Sequence, residues 1–266
     1  MHECEICEKS FVCEFDRHLH NAWIKKIRLG LIRRVLLVNS NKGGLGNTLF
    51  AALLAAKMKK MNYKVALLET SFSSSLPYYF DLPFGNGLEL VPNGIIPPVS
   101  SFDYPYLSPS LFMAKDHQLV DWDKEAIIKF LKKMIINTNW GDTDILVLDL
   151  ACGHLGFIDE LKAFFGDRLT SSVLMLDYKQ LSSPYTSAYI HYHESLTTIL
   201  QVLSSPSKNN LKDKKNVADT KYKVSSLEFC DLAYFYGASP ADIIKNVNEL
   251  YAPVIEEVST SCLSIF

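Results

Sequence analysis

The chain has 266 residues, 48% of them hydrophobic, and a formal net charge of -2. That length suits one large α/β domain with a small appendage, and the near-neutral balance argues against a broad basic surface for nucleic acid. No stretch of about 18 consecutive apolar residues occurs, so no transmembrane helix is expected.

Residues 1–20 hold three of the six cysteines, Cys4, Cys7 and Cys13, together with His2, His18 and His20. Cys4 and Cys7 form a Cys-x2-Cys pair, in which two thiolates on a tight turn can reach one metal. Cys13 and either His18 or His20 would complete four ligands. Zinc is the default for a mixed Cys/His set, an iron–sulfur cluster is the alternative, and the plain reading is a tail with chance cysteines. The acidic start, Met1 to Glu5, lacks a hydrophobic signal region, so a cytoplasmic, reducing compartment is expected. The cysteines are then thiols or metal ligands rather than disulfides. Residues 21–33 read as a linker, and 21–34 as an amphipathic helix with Lys25, Lys26, Arg28, Arg33 and Arg34 on its solvated face. Contact with nucleic acid or lipid is the alternative for this basic face.

Val35-Leu36-Leu37-Val38 is an apolar run of the kind that forms a buried parallel strand. Ser40-Asn41-Lys42-Gly43-Gly44-Leu45-Gly46-Asn47-Thr48 follows, and then Leu49 to Met61, rich in alanine and leucine, reads as a helix. Strand, glycine-rich turn and helix in that order are the setting of a phosphate-binding loop. Glycines let the backbone curl until several N–H groups face one anion, and the helix N-terminus adds partial positive charge. Thr48 stands where a hydroxyl would ligand Mg²⁺. The motif places lysine after its last glycine; here Asn47 is neutral, and the cation that should reach the β- and γ-phosphates is missing. A glycine turn that binds nothing is the plain alternative.

Lys42 at the front of the loop makes this stretch similar to Lys-Gly-Gly-x-Gly-Lys-Thr, the deviant phosphate loop of the ParA/MinD/Mrp class, at every position except Asn47. The resemblance implies a doubly wound, mostly parallel α/β sheet of the P-loop NTPase (SIMIBI) type over residues 34–258, leaving 259–266 as a tail. The site would lie at the C-terminal ends of the strands. ATP and Mg²⁺ are the implied cofactors, held by Lys42, Gly43, Gly44, Gly46, Asn47, Thr48, Glu69, Asp149 and Gly153.

Tyr63 to Glu69 reads as the second strand. The family ends this strand in Asp-x-Asp, the first beside the metal and the second helping to position water. This chain has Glu69-Thr70-Ser71, which keeps one carboxylate and loses the other. Ser73 to Pro77 resembles the family's switch segment in weaker form. Residues 81–122, with turn signals at Asn93-Gly94 and Pro97-Pro98, read as loops and short strands on the rim of the site. Asp123 to Asn137 has helical apolar spacing and an acidic start. Trp140-Gly141 then leads into a strand ending at Asp149.

Asp149-Leu150-Ala151-Cys152-Gly153 corresponds to the family's Asp-x-Pro-Pro-Gly, at a spacing from Trp140-Gly141 that matches the Mrp group. By that resemblance Asp149 is the Walker B acid, binding Mg²⁺ through water, and Gly153 offers an N–H near the γ-phosphate. Ala151 and Cys152 replace both prolines, which loosens the loop.

Ser171 to Leu176 reads as a strand, Ser183 to Leu203 as a helix with His191 and His193 on its surface, Ser204 to Thr220 as a solvated loop, and Tyr222 to Phe229 as a last strand. Val224-Ser225-Ser226 and Cys230-Asp231-Leu232-Ala233 stand where the Mrp group has Asn-Met-Ser and Cys-Pro-x-Cys. With Ala233 for the second cysteine, a normal cluster bridging two subunits is not expected, and Cys230 reads as a buried thiol. Cys4, Cys7 and Cys13 are similar to the N-terminal iron–sulfur segment of the eukaryotic cytosolic members, without its upstream cysteine. Ser239 to Tyr251 reads as a helix capped by Ser239 with Pro240 at its first position.

The resemblance implies a nucleotide-binding, Mrp-like iron–sulfur cluster assembly or carrier protein with weakened or lost ATP hydrolysis. The alternative is an inactive pseudo-ATPase serving as an interaction platform or heterodimer partner, with an N-terminal zinc module. A homodimer or a heterodimer with an Mrp-class ATPase is expected, without membrane or nucleic acid partners, and no catalytic residue is assigned.

Overall fold

The computed structural model describes residues 29–72, 76–80, 88–91, 94–112, 123–151, 156–177, 180, 183–193, 196–204, 223–228 and 240–264. The Cys/His segment 1–20, the linker up to residue 28, Gly153, the loop over 205–222, Cys230 and Ala233 lie outside the described residues.

Seven strands form one sheet in the order β5-β2-β6-β1-β7-β8-β9. They are β1 (Ile32–Ser40), β2 (Val65–Glu69), β5 (Tyr106–Leu107), β6 (Thr143–Asp149), β7 (Leu169–Asp177), β8 (Thr197–Ser204) and β9 (Lys223–Glu228). Every neighbouring pair in that sheet is parallel. β3 (Glu89–Val91) and β4 (Gly94–Ile96) pair antiparallel as a separate hairpin. The doubly wound parallel sheet is thus the architecture expected from the sequence. β1 lies between β6 and β7, where the winding reverses direction, and such a switch point opens a crevice at the strand C-termini.

The central strands are buried along almost their whole length, Val35 to Ser40 and Ile145 to Asp149 without a break. Strands covered on both faces need such continuous apolar runs. Helix α1 (Asn47–Lys60) carries the chain out of the loop after β1. Its Leu49, Phe50, Ala51, Ala52, Leu53, Leu54, Ala55, Ala56 and Met58 are all buried. A helix apolar on every side belongs inside the fold, and this one is packed against β2, β6 and the C-terminal helix. After the short helix α2 (Leu76–Tyr79) and the rim segments comes α3 (Lys124–Asn137), where Asp123 accepts the Ala126 N–H at 2.7 Å as N-cap. Helix α4 (Phe157–Phe165) follows β6.

Four expectations are corrected by the fold. Arg33 and Arg34, expected on the linker helix, belong to β1. The stretch Ser183 to Leu203 is not one helix: α5 (Pro184–Tyr192) stops and Thr197 begins β8. Thr197-Thr198-Ile199 favours a strand, and an apolar run of this length cannot be assigned by periodicity alone. What decides it is a place between β7 and β9, both paired to it. His193, expected on the surface, is fully buried, while His191 is exposed. The last helix does not end at Tyr251. Helix α6 (Pro240–Ser264) runs through the exposed Pro253 and buries Tyr251, Ile255, Val258, Ser259 and Cys262 on one stripe. Pro240 does occupy its first position. No helix among the described residues is long and apolar enough to cross a membrane.

Candidate functional site

The loop between β1 and α1 turns on two glycines in the left-handed region, Gly44 at φ 79° and Gly46 at φ 77°. A Cβ on Gly44 would meet nothing within 4 Å, so backbone conformation rather than space requires glycine there. Gly46 is the N-cap of α1, its carbonyl accepting the Phe50 N–H at 2.9 Å. No side chain caps this end, and the first turn holds no acidic residue. The helix therefore presents its backbone N–H groups and its positive end to the loop uncompensated, which suits an anion.

Asn47 does not point along the loop. Its Oδ1 accepts the Ser40 hydroxyl at 3.3 Å, and its Nδ2 donates to Asp149 Oδ1 at 2.8 Å. Parallel register explains the reach: Val38 on β1 and Glu69 on β2 both stand beside Asp149 on β6. Asp149 is buried, and no ion pair among the described residues includes it. Burial pushes its carboxyl up to about 6, against the pull of hydrogen bonds from Thr48 and Asn47. Thr48 and Asp149 thus stand together as hard oxygen donors, a set that fits Mg²⁺.

Glu69 is buried next to Asp149, and its Oε2 accepts the Tyr106 hydroxyl at 2.7 Å. Thr70 Oγ1 accepts the Ala151 N–H at 2.9 Å, and its own N–H donates to the Asp149 carbonyl at 3.0 Å, which ties down the exit from β6. The Ser71 carbonyl accepts the Ser108 hydroxyl at 3.3 Å. Lys42 is exposed and ion-pairs with Asp177 at the end of β7, Nζ to Oδ2 3.2 Å. The Asp177 N–H donates to Asn41 Oδ1 at 3.4 Å, and Asn41 Nδ2 donates to Thr186 Oγ1 on α5 at 2.8 Å.

The structure therefore brings Lys42, Gly43, Gly44, Gly46, Asn47, Thr48, Glu69 and Asp149 to one end of the sheet, around the loop. Gly153 and the ligand candidates Cys4, Cys7, Cys13, His18 and His20 lie outside the described residues. Among the described residues no group of three or more His, Cys, Asp or Glu could hold a metal ion. Sequence reasoning missed Ser40, which orients Asn47, and Tyr106, which holds Glu69. Neither carries a local signal, because each acts on a residue distant along the chain.

A family profile described as ParA, NUBPL iron-transfer P-loop NTPase, matches residues 31–155, the segment holding the loop and both carboxylate strands. An iron–sulfur cluster carrier protein of Rickettsia prowazekii is 27% identical over 133 residues, covering 48% of this chain and 41% of the relative. Over residues 31–155 the chain is thus similar to the ParA/NUBPL P-loop NTPases and to iron–sulfur cluster carriers. An iron–sulfur cluster transfer protein, NUBPL, of Dictyostelium discoideum is 29% identical over 136 residues, covering 49% of this chain and 40% of the relative. The match thus spans about two fifths of the curated relatives' length. A nucleotide-binding protein from Archaeoglobus fulgidus, solved in complex with ADP, shares the fold with a TM-score of 0.64 at 19% identity. That likeness covers 84% of this chain and 93% of the archaeal one.

Proposed function

We propose that this P-loop protein is a nucleotide-binding, Mrp-like iron–sulfur cluster assembly or carrier protein whose ATP hydrolysis is weakened or lost. One observation carries the reading: an intact glycine loop and acid strand, joined by a neutral amide, Asn47 Nδ2 to Asp149 Oδ1 at 2.8 Å. In this reading Lys42, Gly43, Gly44, Gly46 and the N–H groups of Asn47 and Thr48 receive the phosphates, with Gly153 near the γ-phosphate. Thr48 and Asp149 hold Mg²⁺, with Glu69 beside them. Bound Mg²⁺ supplies neutralisation of phosphate charge. Asn47 provides no charge where it would develop, and Ser71 provides no carboxylate to hold water. Losing one preorganised group of this kind costs about a hundred- to a thousandfold in rate. The chain alone should release phosphate from ATP no faster than background. Turnover at a rate of about 1 per second or above, the range of ordinary enzymes, would overturn the reading of Asn47 and Ser71.

The second reading is a subunit that completes an intact neighbour, and the retention of Lys42 favours it. In the related class the front lysine reaches the phosphates of the facing subunit. Here that lysine is kept and exposed, while the one serving the chain's own site is replaced. Mixed with an intact Mrp-class ATPase from the same cell, the chain should raise the partner's turnover, and Lys42→Ala should cancel the rise. Equal stimulation by Lys42→Ala would leave the chain a homomeric binding module. The N-terminal segment supplies zinc or a cluster in either reading.

A further inference from the structure

Six buried polar residues form one hydrogen-bonded chain across the middle of the sheet. It starts on β7, where Ser172 Oγ meets His193 Nδ1 at 2.9 Å. His193, just past the end of α5, meets Asn39 Nδ2 through Nε2 at 3.4 Å. Asn39 Oδ1 accepts the Ser40 N–H at 2.8 Å. Ser40 Oγ donates to Asn47 Oδ1 at 3.3 Å, and Asn47 Nδ2 donates to Asp149 Oδ1 at 2.8 Å. None of the six is more than 8% exposed, so water does not stand in for a broken link.

Donor and acceptor accounting orients Asn39 and the imidazole. The Ser40 N–H needs an oxygen, so Asn39 turns its Oδ1 inward and its Nδ2 toward the histidine. Nε2 then accepts, which leaves the proton on Nδ1, donated to Ser172. The imidazole is neutral in this arrangement. At the other end, the Asp149 carboxylate accepts from Asn47 Nδ2, which turns Oδ1 toward the Ser40 hydroxyl, and that hydroxyl donates to it. Rotated by half a turn, Asn47 would set a carbonyl oxygen against the Asp149 carboxylate. A buried network with every member satisfied rigidifies its surroundings, and one with a missing member does not.

We propose that His193 is a positioning residue of the phosphate loop, holding through Asn39 the end of β1 from which Ser40 reaches Asn47. Its effect is to hold the last residues of β1, from which the loop springs, in the geometry that Asn47 needs.

The test uses the full chain and two substitutions. His193→Leu keeps an apolar side chain of useful size and removes the acceptor for Asn39. His193→Gln keeps an acceptor and a donor. The first readout is the side-chain amide resonance of Asn47 in asparagine-labelled protein, assigned with Asn47→Asp. It should move in His193→Leu and return toward its original position in His193→Gln. The second is the affinity for fluorescently labelled ADP, expected to fall about two- to tenfold in His193→Leu and recover in His193→Gln. This second arm rests on the proposed nucleotide function. If the unaltered chain does not bind the probe, that function fails and the amide resonance alone decides the role of His193. An Asn47 resonance unmoved in a folded His193→Leu protein, with only Asn39 shifted, would overturn the proposal. Should His193→Leu not fold, Ser172→Ala decides instead: a displaced Asn47 resonance supports the chain, and an unmoved one overturns it.

Discussion

Asp149→Asn should make the protein more stable at neutral pH. Burial raises this carboxyl from its ordinary value of 3.8 to about 6. The folded state therefore holds the Asp149 proton more tightly than the unfolded state does. The stability this represents is fully present below pH 3.8 and lost as pH rises through 6. A difference of about two pH units at 1.36 kcal/mol each makes the ionised carboxylate cost roughly 3 kcal/mol at neutral pH. Asparagine removes the charge and keeps an oxygen to accept from Asn47 Nδ2, now at 2.8 Å from the carboxylate. Urea unfolding at neutral pH should show a gain approaching that figure, shrinking to nothing near pH 4. A gain of the same size at both pH values, or none at either, would refute the reasoning. On the proposed nucleotide reading, the same variant should also lose Mg²⁺-dependent nucleotide affinity.

His193 acts in the opposite sense: burial, and then the nearby Lys162 charge, lower its imidazole from 6.5 to about 4. The unfolded chain takes up that proton first, so stability falls between those pH values by up to roughly 3 kcal/mol. His193→Gln should flatten the acid limb of a urea-denaturation profile, and an unchanged limb would contradict this. Gly46→Ala places a side chain at φ 77°. It should cost about 1–2 kcal/mol in thermal melting and weaken nucleotide binding more than that strain alone explains. Changing Cys4 and Cys7 together to serine should abolish metal measured by elemental analysis, with the melting of the α/β domain unchanged. Stoichiometric metal in that double variant would remove the proposed site.

The β1–loop–α1 unit was legible because its information is local: an apolar run, three glycines and a helix-forming segment, all within residues 35–61. Asp149 was legible through its spacing from Trp140-Gly141. The region after Ser183 was not. Thr197 to Ser204 becomes a strand through β7 and β9, and nothing in its own pattern demands that. His193 was misread for the same reason. Its partners Asn39 and Ser172 lie 154 and 21 positions away, and only the fold brings them to the ring. The loss of charge at Asn47 could be read directly, whereas the turning of its amide onto Asp149 depends on Ser40 and on the β1–β6 register.

The most direct measurement is calorimetric titration of ATP and Mg²⁺ into the full chain, with the nucleotide recovered and analysed afterwards. Saturable binding of about one ATP per chain, recovered intact, is the result expected of this loop. No binding at millimolar ATP, about the weakest affinity a working site would show, would contradict the nucleotide reading itself.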